Sequence, residues 1–195
     1  MKAHKLPELS VEEYIAHERE TGVKYEYHNG KIFALAGGTL NHGLLCGNIF
    51  LELSSKLKDN NSGCKPVNSE VKLNIKSKNS FVYPDSMVIC GEMEIAESDQ
   101  NSITNPVLIV EVLSKSTADH DRGDKFYLYR QISTLQEFVL IEQEKPIVEV
   151  YYKPPQTDSW QISRFEGLDS NVILKSLNLK IQMSDLYYDI KLAEG

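Results

Sequence analysis

The sequence predicts an α/β fold in which an apolar sheet is covered by helices, and three observations carry that expectation. The run "PVLIVEVL" at 106–113 is apolar except at Glu111, as a central strand covered on both faces requires. It leads through a helical stretch into "EFVLIE" at 137–142, and a strand, helix, strand succession argues for a parallel crossover. Between Thr39 and about Lys58, the residues Cys46, Ile49, Phe50, Leu53 and Leu57 recur at helical spacing and form one apolar stripe.

The remaining elements follow in chain order. Ser10 followed by Glu13 is a capping-box pattern, so a short helix opens the chain and ends at Thr21 and Gly22. "VKYEYHNGKIFALAG" reads as a hairpin, because Asn29-Gly30 supplies the positive φ angles of a tight turn. Thr39 caps the second helix and "NNSG" ends it. "EVKLNI" alternates Glu70, Lys72 and Asn74 with Val71, Leu73 and Ile75, the period of a strand with one buried face. "FVYPDSMVIC" at 81–90 continues the sheet, and the polar residues 91–105 are expected to form a solvated loop. Ser116 and Thr117 cap a helix reaching about Ile132, with Phe126, Tyr129 and Ile132 turned to the sheet. Beyond it, "IVEVYY" and "SWQISRF" flank "KPPQTD" as a second hairpin, with a terminal turn or helix near 184–188. A chain of 195 residues with 41% hydrophobic content is expected to be one domain, with a core at about 39–143 and a β appendix at about 146–190.

Composition narrows the function. A net charge of −7 argues against non-specific coating of nucleic acid, which needs clustered lysine and arginine, so any such contact has to be local. Nothing approaches the ~20 apolar residues of a membrane span, and the N-terminus lacks the apolar centre of a secretion signal, so a cytoplasmic protein with no membrane partner is expected. Cys46, Cys64 and Cys90 show no metal-knuckle spacing and are expected to be reduced, mostly buried thiols.

Two acids, Asp85 and Glu111, interrupt neighbouring apolar runs. If those runs pair, the carboxylates face each other and need a cation between them; Mg²⁺, a hard ion that takes one or two protein carboxylates, fits. The bland alternatives are a turn acid beside Pro84 and a strand-end glutamate paired with a lysine. Lys125 shares a helix face with Asp121 and could reach back over Glu111. No P-loop, nucleophile elbow or zinc-protease pair is present.

The succession of Glu70, "YPD" at 83–85, "IVEVLSKST" at 109–117, "DRGDKFYLYRQ" at 121–131 and "LQEFVLIEQ" at 135–143 resembles the bacterial Uma-type endonuclease family of the PD-(D/E)XK superfamily. The resemblance covers roughly residues 10–190. It implies a restriction-endonuclease-like core, αβββαβ, with a mixed central sheet flanked by helices, an N-terminal helix and hairpin, and a C-terminal β extension. It places the superfamily's metal-binding acids on Asp85 and Glu111, while the lysine expected two positions later is Leu113 and its role falls to Lys125. Glu70 and His42 match further family positions and become site candidates; Glu26 matches an acid too, though a hairpin glutamate is commonly structural. The implied activity is Mg²⁺-dependent hydrolysis of DNA phosphodiesters, with Mn²⁺ as a substitute and a homodimer placing one site on each strand. The alternative is a non-catalytic nucleic-acid or protein-binding module that keeps the nuclease scaffold.

Overall fold

A computed structural model describes residues 8–35, 37–114 and 121–193, with the backbone alone for Asp121. Helix α1 (Val11–Thr21) opens with the capping box expected of Ser10 and Glu13 and closes on Gly22 at φ 66°. Strands β1 (Tyr25–His28) and β2 (Lys31–Ala34) form the first hairpin. Its turn holds Asn29 and Gly30 at φ 48° and 91°, the left-handed region that asparagine and glycine tolerate. Helix α2 (Leu40–Asp59) is capped by the Thr39 hydroxyl, which accepts from the His42 N–H. The next strands are β3 (Cys64–Asn68), β4 (Lys72–Ile75), β5 (Ser80–Val82) and β6 (Ser86–Cys90). After β7 (Ile95–Ala96), β8 (Asp99–Ile103) and β9 (Leu108–Leu113), a π-type turn at Asp121–Lys125 runs into the short helix α3 (Phe126–Tyr129). Strands β10 (Glu137–Glu142), β11 (Ile147–Tyr152), β12 (Gln161–Glu166), β13 (Asn171–Leu174) and β14 (Leu179–Gln182) precede α4 (Met183–Leu186).

The strands build two six-stranded sheets, ordered β2-β1-β5-β4-β8-β7 and β12-β11-β10-β9-β6-β3, plus the separate β13-β14 hairpin. Strands β9 and β10 run parallel, as the crossover predicted. Side-chain alternation assigns each face of the second sheet to its own core. Leu108, Val110 and Val112 of β9 join Leu45, Ile49, Leu53 and Leu57 of α2. Ile109 and Leu113 face the other way, into a core that includes Leu73, Ile75 and Val82 of the first sheet and Tyr129 of α3. Helix α1 closes the far side through Tyr14 and Ile15, which pack on Tyr27 and Phe81.

Several expectations need correction. "FVYPDSMVIC" is two strands in two sheets: the chain leaves β5 at Tyr83, turns at Pro84 and Asp85, and enters β6. The segment 91–105 is no solvated loop, because β7 and β8 lie within it and Asp99, Ser102 and Ile103 are buried. Lys72 and Asn74, from the polar face of "EVKLNI", are covered as well. Lys72 is only 5% exposed and sits between Glu18 at 2.5 Å and Asp99 at 2.7 Å, an ion triad that ties α1 to β4 and β8. The expected helix cap at Ser116 and Thr117 lies outside the described residues. Cys64 and Cys90 are not separate thiols: they are direct partners across β3 and β6 and form a disulfide, leaving Cys46 as the free cysteine among the described residues. The C-terminal hairpin β11-β12 extends the core sheet, with β11 pairing directly with β10.

Candidate active site

The strand β6 pairs antiparallel with β9, with Ser86 opposite Val110. One step beyond that register, Asp85 comes opposite Glu111. Glu111 shares the parity of Ile109 and turns to the face between the two sheets, while Asp85 stands in the turn before β6, where its own contacts rather than strand alternation place the side chain. Asp85 is fixed from the neighbouring strand, because the Val112 N–H donates to its Oδ2 at 2.7 Å. The ladder has ended at Pro84 and Asp85, and there a side chain rather than a backbone carbonyl takes the N–H of β9.

Glu111 is 3% exposed and is held by two donors from the crossover between β9 and β10. Lys125 Nζ lies 3.0 Å from Oε1, and the Tyr129 hydroxyl donates to the same oxygen at 2.5 Å. The four-residue spacing of Lys125 and Tyr129 puts both on one side of the helical stretch. Lys125 Nζ also stands 3.8 Å from Glu26 Oε1. Glu26 is 7% exposed and points from β1 toward the cleft, and its Oε2 is 3.7 Å from His28 Nε2.

The third wall is the start of α2. His42 Nε2 is 3.3 Å from Asp85 Oδ2, and its Nδ1 is 3.5 Å from Cys46 Sγ one turn further on. The helix end is pinned by polar contacts: Thr39 Oγ1 donates to Gln143 Oε1, and Asn41 Nδ2 donates to the carbonyls of Gln143 and Lys191. Gly38 leaves room for the imidazole, since a Cβ there would lie 2.8 Å from His42 Nδ1. Burial first, then the nearby Asp85 carboxylate, pushes the Cys46 thiol well above its ordinary pKa.

Four of the five predicted residues are thus brought together: Asp85, Glu111, Lys125 and His42. Glu70 is not among them. The chain turns after β3 and leaves Glu70 with its side chain 72% exposed, ion-paired to Lys24 at 2.6 Å, on the side of α1. Two members carried too little weight in the sequence. Glu26 faces inward because β1 presents its even positions to the cleft and its odd ones, Tyr25 and Tyr27, to α1. Tyr129 looked like a sheet-packing aromatic, and it is one, but its hydroxyl reaches Glu111. Only the acid in an apolar strand facing it could have signalled that use.

The donor set suits a hard divalent ion. Two carboxylates on adjacent strands, one oriented by a backbone N–H, meet the preference of Mg²⁺ for oxygen ligands in small number with water completing its shell.

The architecture and this arrangement define a restriction-endonuclease-like α/β protein. A crystal structure of "a putative nuclease belonging to DUF820" from Anabaena variabilis matches the fold with a TM-score of 0.72 at 19% identity, over 92% of this chain and 97% of that one. The chain belongs to the Uma2 family, described as "Putative restriction endonuclease", which matches residues 11–184. Two proteins of Synechocystis sp. strain PCC 6803 are relatives over nearly their full lengths. The protein slr1290 is 34% identical over 183 residues, 93% of this chain and 92% of its own. The protein sll1609 is 35% identical over 164 residues, 84% of this chain and 91% of its own.

Proposed function

We propose that the protein is a Mg²⁺-dependent endonuclease that hydrolyses DNA phosphodiester bonds. The observation that carries this reading is the antiparallel pairing of β6 with β9 that brings Asp85 to the level of Glu111, with the Val112 N–H on Asp85 Oδ2 at 2.7 Å and Lys125 3.0 Å from Glu111. Asp85 and Glu111 would hold the ion. When bound, Mg²⁺ supplies Lewis-acid polarisation of a phosphoryl oxygen and activation of water.

The chain's own groups divide the remaining work. Lys125 faces the negative charge that grows on the phosphate as the bond breaks, and its position on Glu111 keeps the ammonium in place beforehand. Tyr129 and the Val112 N–H fix the directions of the two carboxylates. His42, with Nε2 beside Asp85, can hold or pass a proton at the edge of the site. DNA would approach over the exposed face of the first hairpin, where Lys31 and Phe33 stand opposite His28 and Glu26 around a depression of about 660 Å³. Phe33 is 52% exposed there and offers a ring on which a base can stack. Two copies of the chain related by a two-fold axis would put one site on each strand.

Cleavage of supercoiled and linear DNA by the purified protein, with Mg²⁺ and with chelator, tests the reading. Nicking or linearisation that needs the ion and is abolished in Asp85→Asn and Glu111→Gln is the expected result. Folded wild-type protein that binds DNA but cleaves neither DNA nor RNA with Mg²⁺ or Mn²⁺ would instead identify a binding module on a nuclease scaffold.

A further inference from the structure

We infer that His42, Cys46 and Asp85 form a second cation site of different chemistry, which takes a borderline-soft divalent ion of the Zn²⁺ class and competes with Mg²⁺ for Asp85. The competition rests on the nuclease reading above; the site itself does not.

His42 and Cys46 are four residues apart on α2, so their side chains share one face of the helix and meet at 3.5 Å. Asp85 arrives from the turn before β6, with Oδ2 3.3 Å from His42 Nε2. One ligand atom from each of the three residues can be chosen so that all lie within 4.8 Å of one another. A tetrahedral ion with bonds of roughly 2.0–2.3 Å holds its ligand atoms about 3.3–3.8 Å apart, so the set closes on such an ion with side-chain shifts of about an ångström or less. All three residues are partly exposed, which gives an ion a way in.

The ligand types select the ion. A thiolate and an imidazole favour Zn²⁺ over Mg²⁺, which prefers oxygen and sheds water reluctantly. Three protein ligands leave the fourth position of a tetrahedral ion to water. The surroundings already orient the set: the Val112 N–H fixes the Asp85 carboxylate, Thr39 fixes the helix end, and Gly38 leaves the space the imidazole fills. On binding, the Cys46 thiol gives up one proton to solvent and its sulfur takes the metal bond. An Asp85 oxygen engaged in this way is withdrawn from the Mg²⁺ site proposed above with Glu111. By linkage each ion then weakens the other by the same factor, and a nuclease loaded with the soft ion is held inactive.

The experiment uses metal-free full-length protein without nucleic acid, titrated with Co²⁺ as a coloured substitute for Zn²⁺. The expected result is a sulfur-to-cobalt charge-transfer band with tetrahedral visible absorption, saturating at one equivalent and displaced by Zn²⁺. Cys46→Ser should lose the charge-transfer band, with its far-ultraviolet dichroism unchanged, and should bind Zn²⁺ more weakly by more than the roughly 10–100-fold that loss of an outer-shell partner costs. The double variant Cys64→Ser, Cys90→Ser should keep the band. Excess Mg²⁺ should move the Co²⁺ titration to higher concentration. A wild-type protein without the band overturns the site, as does a band that survives Cys46→Ser or depends on Cys64 and Cys90. A Co²⁺ titration indifferent to Mg²⁺ overturns the sharing of Asp85. Cleavage with Mg²⁺ is a separate measurement, so an inactive protein that shows the band keeps this site and loses the nuclease reading.

Discussion

Lys125 Nζ lies 3.0 Å from Glu111 Oε1 and 3.8 Å from Glu26 Oε1, so one ammonium joins the central strand of one sheet to the first hairpin of the other. All three side chains are nearly buried. Taking away the ammonium leaves two carboxylates facing each other in a poorly solvated cleft, and breaking a buried pair in this way costs about 3–5 kcal/mol. Lys125→Met is expected to lower stability by an amount of that order in urea unfolding. It should also reduce Mg²⁺-dependent cleavage by about 100-fold or more, the scale on which preorganised charge acts in a transition state.

Gly38 should show the opposite balance of effects. A methyl group at position 38 would sit 2.8 Å from His42 Nδ1, and the imidazole, being the end of a side chain, is what gives way. Gly38→Ala should therefore leave the thermal midpoint nearly unchanged while disrupting the contact of His42 with Asp85. Chemical-shift titration of the His42 ring and the cleavage rate, measured side by side, check this: a normal ring signal in the variant would show that the loop absorbs the methyl instead.

The Glu18–Lys72–Asp99 triad predicts a pH dependence. Burial pulls the Asp99 carboxyl upward, but hydrogen bonds from Lys72, Ser102 and the Asn101 N–H outweigh it and hold the group below its ordinary value. With the folded value below the unfolded one, the contribution is complete above the unfolded pKa and is lost as pH falls through it toward the folded value. Unfolding free energies measured between about pH 7 and pH 3 should fall in the acid range. Asp99→Asn should be less stable near neutrality, by a few kcal/mol at most, with a shallower acid limb. Equal acid limbs in the two proteins would remove Asp99 as their source.

The Cys64–Cys90 disulfide closes a loop with a sequence separation of 26. A loop of that size is stabilised by about 3–4 kcal/mol through the restricted unfolded chain. Oxidised protein should carry two protons fewer in intact-mass measurement than reduced protein, and dithiothreitol should lower its urea midpoint. Identical midpoints with and without reductant would mean that the pairing of the two strands already supplies the constraint.

The parts of the fold that were legible are those written locally. Ser10 with Glu13, Asn29-Gly30 and Thr39 act on backbone groups within four residues, so the residue types alone declare the helix starts and the turn. The pairing of the strands that carry Asp85 and Glu111 was legible for another reason: an acid that interrupts an apolar strand is costly unless something meets it, so the two oddities pointed to each other. What stayed hidden depends on partners remote in the chain. Asp99 and Ser102 look like loop residues until Lys72 is packed against them. The disulfide follows from the register that sets Cys64 opposite Cys90, which spacing alone does not disclose. Glu70 became a candidate through the family resemblance, whereas β4 begins two positions later, at Lys72, and leaves Glu70 in the turn before it, paired with Lys24.

The link from Glu26 through Lys125 to Glu111 also has a meaning in time. The groups that converge on the cleft are synthesised from residue 26 to residue 129, from both sheets, α2, the stretch that precedes α3 and α3 itself. A chain still emerging from the ribosome without residue 125 has its acids but not the ammonium that holds them, and neither sheet alone contains the cleft. The cleft would therefore be completed late in folding, when the two sheets dock and the crossover between β9 and β10 closes over Glu111.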